Sequence, residues 1–197
     1  MGEFVHRLRS ALVILRPSEF ALPPFACPVC GPGLLIRLSY ESFGVRCLRC
    51  GASVVTLSLA AALRSMRADF DRQRVYELSS RGALFEFLRR KIADCTFSEY
   101  FDDVPPGEQR DGVPCQDVQR LTFGDACFDI CTSTEVFEHV PDDRRGFAEM
   151  RRALVYRDYG QDITHRLLDA GFARARIERC FERSWLGSGC GVVVAEA

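Results

Sequence analysis

Long apolar runs are missing from this 197-residue chain. The longest candidate, Ala11-Leu12-Val13-Ile14-Leu15, falls far short of the ~20 residues needed to cross a bilayer. No membrane association is expected. Arg7, Arg9 and Arg16 flank the run and no small-residue cleavage site follows it, so no secretory signal is expected either, and the expected location is cytoplasmic. Net charge is missing too. The 26 basic residues stand against 27 acidic ones and leave −1, which excludes a nucleic-acid-type polycation. Lysine is nearly absent, with Lys91 alone beside 25 arginines; this reads as coding bias and carries no function. Internal repeats and low-complexity tracts are absent. Hydrophobic residues at 47% and charged residues at 27% give the ordinary globular balance, which excludes a largely disordered or fibrous chain.

The charge that is present is unevenly divided. Residues 1–98 carry a net +6 and residues 99–197 a net −7. A basic front half could favour an anionic partner, but a solvated surface is the preferred account.

Cysteine, by contrast, is plentiful, at ten residues. Without an export signal a disulfide framework explains them poorly. Four fall into the pattern Cys27-Pro28-Val29-Cys30-Gly31 and Cys47-Leu48-Arg49-Cys50-Gly51, a Cys-x2-Cys pair repeated after 16 residues. A two-residue gap lets both thiolates of a knuckle face one ion. The glycine after each pair lets the chain turn back with φ > 0. Residues 34–40 and 45–46 read as the hairpin that joins the knuckles. The expectation is a structural Zn2+ held by Cys27, Cys30, Cys47 and Cys50, with no open position for water chemistry. Redox Cys-x-x-Cys pairs are the competing reading, but neither pair opens a helix in a βαβ context. A segment of this size has little core, so the metal would supply its folding energy.

Four regions follow. Residues 1–22 hold an expected amphipathic helix over 3–15, with Phe4, Leu8, Leu12 and Leu15 near helical spacing. Residues 23–56 form the zinc ribbon, opened by a linker at Pro23-Pro24. Residues 57–73 form a linker helix. Residues 74–197 alternate strand, helix and strand, which predicts an α/β sheet of mostly parallel strands. Its expected strands are 74–78, 95–100, 113–116 and 128–133, and its expected helices are 83–91 and 142–154.

That order sets Ser79–Gly82, Glu99, Asp117 and Thr134–His139 at the carboxyl ends of parallel strands, where open α/β sheets bind ligands. A small-residue turn after the first strand lets a ligand approach the backbone. Glu99 follows Glu77 by 22 residues and could accept hydrogen bonds from a ribose diol. These features together predict a site for a nucleoside-containing cofactor, although the turn holds one glycine, Gly82, where a dinucleotide fingerprint holds three.

The residues 75–82, 98–100, 115–118 and 128–142, the last containing Phe128-Asp129 and Glu138-His139-Val140, resemble the class I S-adenosylmethionine-dependent methyltransferases of the type 11 kind. Ala170-Gly171-Phe172 is similar to that family's turn before its last strands. The knuckles resemble a zinc-binding extension that some of these enzymes carry. The resemblance implies a Rossmann-like methyltransferase sheet preceded by the zinc ribbon, with S-adenosyl-L-methionine as cofactor. It implies that Glu77, Gly82 and the Ser79-Ser80 backbone line the methionine part. Glu99 would hold the ribose hydroxyls, with Tyr100 beside the adenine. Asp117 would meet the adenine amino group, with Val118 against the ring. Thr134 and Glu135 would lie near the sulfonium. His139 is the candidate general base, against a capping or packed histidine; methyl transfer needs alignment more than a base.

Two departures stand out. Serines replace glycines at 79 and 80. After the helix ending at Leu154 the family's fifth strand and substrate loop are missing, which leaves either a gap or a rejoined sheet with residues 192–195 pairing against 128–132. The sheet is therefore expected to be shortened. The expected function is methyl transfer to a small-molecule acceptor. The alternatives are a non-catalytic zinc-plus-Rossmann-like module, which the missing strand favours, and an RNA methyltransferase whose Arg37, Arg46 and Arg49 grip the nucleic acid, although Tyr40 and Phe43 are the only aromatics there. The six remaining cysteines (95, 115, 127, 131, 180 and 190) read as small hydrophobes in or beside strands.

Overall fold

The computed structural model of the chain describes residues 20–38, 44–66, 70–153, 156–157, 163–178 and 192–196. The expected helix over 3–15, Tyr40, Phe43, Cys180 and Cys190 lie outside the described residues.

The ribbon is a three-stranded antiparallel sheet of β1 (Phe20–Cys27), β2 (Gly31–Arg37) and β3 (Val45–Cys47). The expected hairpin is present. The expected linker at Pro23-Pro24 is not: both prolines lie inside β1, where the register shifts between Ala21 and Phe25. Proline has no N–H to give a ladder, so it is confined to edge strands and bulges, and β1 supplies both. Helix α1 (Val54–Met66) follows, starting three residues earlier than expected. Ser53 Oγ accepts the Thr56 N–H at 3.3 Å and caps it. A short 3-10 turn at Phe70–Arg72 leads to the sheet.

Strand β4 (Arg74–Glu77) is the centre of that sheet. Helix α2 (Gly82–Lys91) buries Leu84, Phe85, Phe87 and Leu88, the four residues of its expected apolar side. Its last turn holds Arg89, Arg90 and Lys91, cations that suit the negative end of a helix dipole. Strand β5 (Asp94–Phe97) pairs parallel with β4. Residues 109–110 and 113–114 form a small hairpin, β6 and β7. The expected third strand over 113–116 is therefore reduced to one parallel bridge, Glu99 to Cys115, with the Glu99 N–H on Pro114 O at 3.0 Å. Strand β8 (Ile130–Thr132) pairs parallel with the other side of β4, clamped by a two-pronged bond from Arg74 to Asp129 at 2.8 and 3.0 Å. Helix α3 (Asp143–Ala153) is capped by Asp142, whose Oδ1 accepts the Arg145 N–H at 3.0 Å.

The shortened half is resolved by what comes next. Strand β9 is Tyr156–Arg157, and the residues on either side of it lie outside the described ones. After helix α4 (Ile163–Asp169), strand β10 (Arg174–Glu178) pairs antiparallel with β11 (Val192–Glu196), and β11 pairs with β9. Of the two expected outcomes the rejoined sheet does not form: β11 meets the two-residue β9, which packs beside β8, and no ladder joins β11 to β8 among the described residues.

Side chains alternate across the sheet with period two. Val75 and Ile130 join one apolar cluster with Leu35 and Val45 of the ribbon, Leu57 and Leu63 of α1, Phe87 of α2, and Val192 and Val194 of β11. Tyr76 and Cys131 join the opposite cluster with Phe128, Phe147, Met150 and Leu167. The sheet thus lies between the ribbon with α1 and α2 on one face, and α3 with α4 on the other: a Rossmann-like mixed α/β fold. Because the ribbon shares its core with the sheet, the knuckles are fixed relative to it.

Candidate functional site

Two constellations carry chemistry. In the ribbon, the sulfurs of Cys27, Cys30, Cys47 and Cys50 all lie within 4.8 Å of one another. Cys27 and Cys50 are 3.8 Å apart, and Cys30 and Cys47 3.7 Å. Four sulfurs at a zinc–sulfur distance of about 2.3 Å sit at the corners of a tetrahedron with edges of about 3.8 Å, so the cage already has the required size. Gly31 (φ +85°) and Gly51 (φ +73°) make the turns after each pair in the left-handed region that a side chain would disfavour. Burial and the neighbouring sulfurs push the Cys30 thiol far up and the Cys50 thiol up to about 11. Against burial, backbone N–H groups of Cys50 and Arg49 hold the Cys47 thiol below its ordinary value. Four thiolates are not sustained together in this space without a cation, and the donor set fits zinc.

The second constellation is a cavity of about 450 Å3 at the carboxyl ends of β4, β5 and β8. Glu99, Tyr100, Asp117, Val118, Glu135 and His139 all line it. The sequence placed these six on three separate segments, and the strand order brings them together.

Glu99 is the anchor. Its Oε1 accepts the Ser80 N–H at 2.9 Å, Ser80 Oγ at 3.0 Å and Ser79 Oγ at 3.4 Å. Arg81 donates to both carboxylate oxygens, at 3.3 and 3.4 Å. Burial raises the Glu99 pKa, but these donors outweigh it and hold the carboxyl below its usual value. The serines at 79 and 80 therefore do more than stand where glycines are common: they fasten the loop to the acid.

Asp117 uses Oδ1 for the Gln119 N–H at 2.9 Å and Gln119 Nε2 at 3.3 Å. Its Oδ2 has no partner among the described residues and is available to a ligand's N–H. Glu135 adopts φ +54°, a left-handed conformation that costs a non-glycine residue about 1–2 kcal/mol. Tyr100 is 61% exposed on the rim. His139 ends a 3-10 turn, Phe137–His139, with its side chain 79% exposed and Nε2 3.9 Å from Glu138.

Other candidates sit elsewhere. Glu77 is 1% exposed, does not line the cavity, and accepts a hydrogen bond from Thr132. Burial, aided by the Glu99 charge, pushes its pKa up to about 8. Ser79 and Ser80 reach the cavity through Glu99, Gly82 faces a different groove, and Thr134 does not line the cavity. The sequence missed Tyr76, Ser98, Gln116 and Gln119. Tyr76 bonds Ser98 Oγ at 2.7 Å, and Gln116 exchanges two bonds with Thr122 at 2.7 and 3.0 Å. Gln119 was findable as the side chain two residues after Asp117; the others depend on the fold. Of the arginines expected to grip RNA, Arg46 turns to the Val45 carbonyl at 2.9 Å and Arg49 to that of Cys30 at 3.1 Å. Cys95, Cys115, Cys127 and Cys131 carry free thiols, two of them buried.

Residues 82–156 match the family model described as a methyltransferase domain. No curated protein matches the chain. Among solved structures, a S-adenosylmethionine-dependent methyltransferase from Mesorhizobium loti is 13% identical, over 74% of this chain and 100% of that one, with a TM-score of 0.49. One from Thermotoga maritima is 14% identical, over 72% and 88%, at 0.45. One from Aquifex aeolicus is 16% identical, over 72% and 95%, at 0.42.

Proposed function

We propose that the protein transfers a methyl group from S-adenosylmethionine to a small-molecule acceptor, on a scaffold braced by a structural zinc ion. The methyltransferase-domain match over residues 82–156 supports the reaction class. The observation that carries the cofactor is the pairing of Glu99 and Asp117 in one cavity at the carboxyl ends of parallel strands.

When bound, the cofactor supplies an electrophilic methyl group on a positive sulfur. The chain's part is placement. Glu99, ionised and fixed by the Ser80 N–H, would accept hydrogen bonds from the hydroxyls of a ribose diol. The free Oδ2 of Asp117 accepts an amine N–H, and Val118 offers an apolar face to a purine. Val136, Val140 and Pro141 exclude water from the opposite wall. Glu135, at the carboxyl end of β8, adds negative charge near the acceptor's entrance. Transfer then requires an acceptor lone pair aligned with the methyl carbon, a matter of position. His139, on the exposed rim, can carry away the acceptor's proton. Cys27, Cys30, Cys47 and Cys50 would hold the zinc, which leaves no ligand position open to substrate.

A second reading, a cofactor-binding module without turnover, draws on the sequence after Leu154, which departs from the family's fifth strand and substrate loop. Calorimetric titration of zinc-loaded protein with S-adenosylmethionine and its demethylated product tests both. Saturable binding, lost in Asp117→Ala, supports the cofactor site; binding without methyl transfer across an acceptor screen selects the second reading. No binding by the folded wild type refutes both.

A further inference from the structure

On the other side of the Ser79–Gly82 loop lies a larger concavity, about 770 Å3, between the zinc knuckles and the length of α2. None of its charged residues lines the cofactor cavity. Arg49 comes from the second knuckle, Arg64 from α1, and Arg90 and Lys91 from the last turn of α2; Glu86 is the one carboxylate in the lining among the described residues. All four cations are exposed, and none has a carboxylate within ion-pair distance among the described residues. Even with the two negative charges of a zinc tetrathiolate at its ribbon end, the groove remains net positive.

Two of the cations are held in place without being neutralised. Arg49 Nη1 donates to the carbonyls of Cys30 at 3.1 Å and Pro32 at 3.5 Å. The Arg64 guanidinium rests over the Phe87 ring, 5.6 Å from its centre. Fixing a guanidinium lowers the entropy lost when it binds, and its planar fork of donors matches phosphate oxygens. The groove follows all of α2, about 15 Å at 1.5 Å per residue, which is long for a single ion. Phe87, its aromatic ring, is 1% exposed and offers no platform for a base.

We infer that this groove binds a chain of phosphates, recognised through its charge and not through bases. Such a chain is found in a nucleic-acid strand or in a polyphosphate-bearing small molecule. The inference stands independently of methyl transfer.

The test uses zinc-loaded full-length protein, a fluorescein-labelled ten-nucleotide single-stranded RNA, and inorganic tripolyphosphate as competitor. Anisotropy should report binding that weakens steeply with salt. Arg64→Gln and Arg90→Gln should each weaken it severalfold and lower the slope of log affinity against log salt by about 0.7. Arg89→Gln is the charge-matched control: Arg89 lies over Phe85, outside the groove, and should leave both unchanged. Displacement by tripolyphosphate at equal phosphate concentration identifies a small polyphosphate as the ligand type; resistance identifies a strand. Failure of both probes to bind at 50 mM salt overturns the inference. So does an Arg89→Gln effect equal to that of Arg90→Gln, since that would make the attraction a diffuse field. Circular dichroism and cofactor titration of each variant separate loss of fold, and failure of the methyl-transfer reading, from loss of the groove.

Discussion

Glu77→Gln tests the electrostatics of the buried carboxyl at the end of β4. Glu77 is 1% exposed, and burial pushes its pKa from 4.5 up to about 8. Between those values the folded protein keeps the Glu77 proton while the unfolded chain has released it. The folded state then binds more protons, so stability is full below pH 4.5 and falls as pH rises through 8. Each pH unit inside the window is worth about 1.4 kcal/mol, and from pH 5 to pH 8 the loss is about 3–4 kcal/mol. That is large against a total of about 5–15 kcal/mol. Glutamine keeps an oxygen for the Thr132 hydroxyl but cannot ionise. Urea denaturation of zinc-loaded wild type and variant at pH 5, 6, 7 and 8 isolates the effect, because the pH dependence of zinc ligation is common to both and cancels in the difference. The stability of the variant relative to wild type should climb by about 3–4 kcal/mol across the series. A difference that stays flat with pH would mean that Glu77 is ionised in the fold, and would refute the argument.

Three further outcomes follow from the packing and the site. Gly146→Ala should destabilise: its new Cβ would lie 2.8 Å from Phe137 Cε1, in a ring already stacked on Phe147 at 4.4 Å. Overpacking of about 1–3 kcal/mol outweighs the helix gain of about 1 kcal/mol, so thermal melting should show Tm lowered by a few degrees; an increase would refute the contact. Metal analysis should find one zinc per chain in wild type and a deficit in Cys47→Ser, whose sulfur is buried in the cluster that includes Val75 and Ile130. Chelation should therefore expose tyrosines and phenylalanines of the sheet as well as the ribbon, read by near-ultraviolet circular dichroism; a change confined to the ribbon would contradict the shared core. Arg81→Ala should tighten S-adenosylmethionine binding, by no more than about fivefold, because the exposed Arg81 competes for the Glu99 carboxylate. Weaker binding in calorimetry would instead make Arg81 a ligand for the cofactor.

What could be read from the sequence was whatever is local. The knuckles needed only two short spacings, and their sulfurs meet as those spacings required. Helix α2 announced its buried side because Leu84, Phe85, Phe87 and Leu88 recur within a single turn-and-a-half. Pro23-Pro24 misled because two prolines mark a linker in most contexts, and nothing local says that β1 is an edge strand able to tolerate a bulge. The segment 113–116 was legible as extended but not as a hairpin arm, since its partner at 109–110 is polar. The hold of Ser79, Ser80 and Arg81 on Glu99 spans about twenty residues and depends on β4 lying beside β5. Arg49, Arg64, Arg90 and Lys91 are scattered over forty positions; only the docking of the ribbon on α2 gathers them.

Among the described residues the strands β4, β5 and β8 and the strands β9, β10 and β11 form two sets with no ladder between them. Strands β4, β5 and β8 are joined by continuous parallel ladders, with the Arg74–Asp129 clamp at one end and the Glu99–Cys115 bridge at the other. Beyond β8 the ladder stops. Strand β11 meets β9 at two residue pairs, Ala195 with Arg157 and Glu196 with Tyr156. It also pairs with β10 at five positions, and its Val192 and Val194 are buried in the cluster that contains α1 and the ribbon. Apolar burial is non-directional, whereas a ladder fixes register. The half that carries Glu99 and Asp117 is therefore the geometrically determined one. The other half is attached through both apolar clusters, by Val192 and Val194 on the ribbon side and by Leu167 and Phe172 on the side of Phe147 and Met150. A nucleoside cofactor needs fixed hydrogen-bond partners, and in the proposed site Glu99 and Asp117 belong to the half whose register the ladders fix.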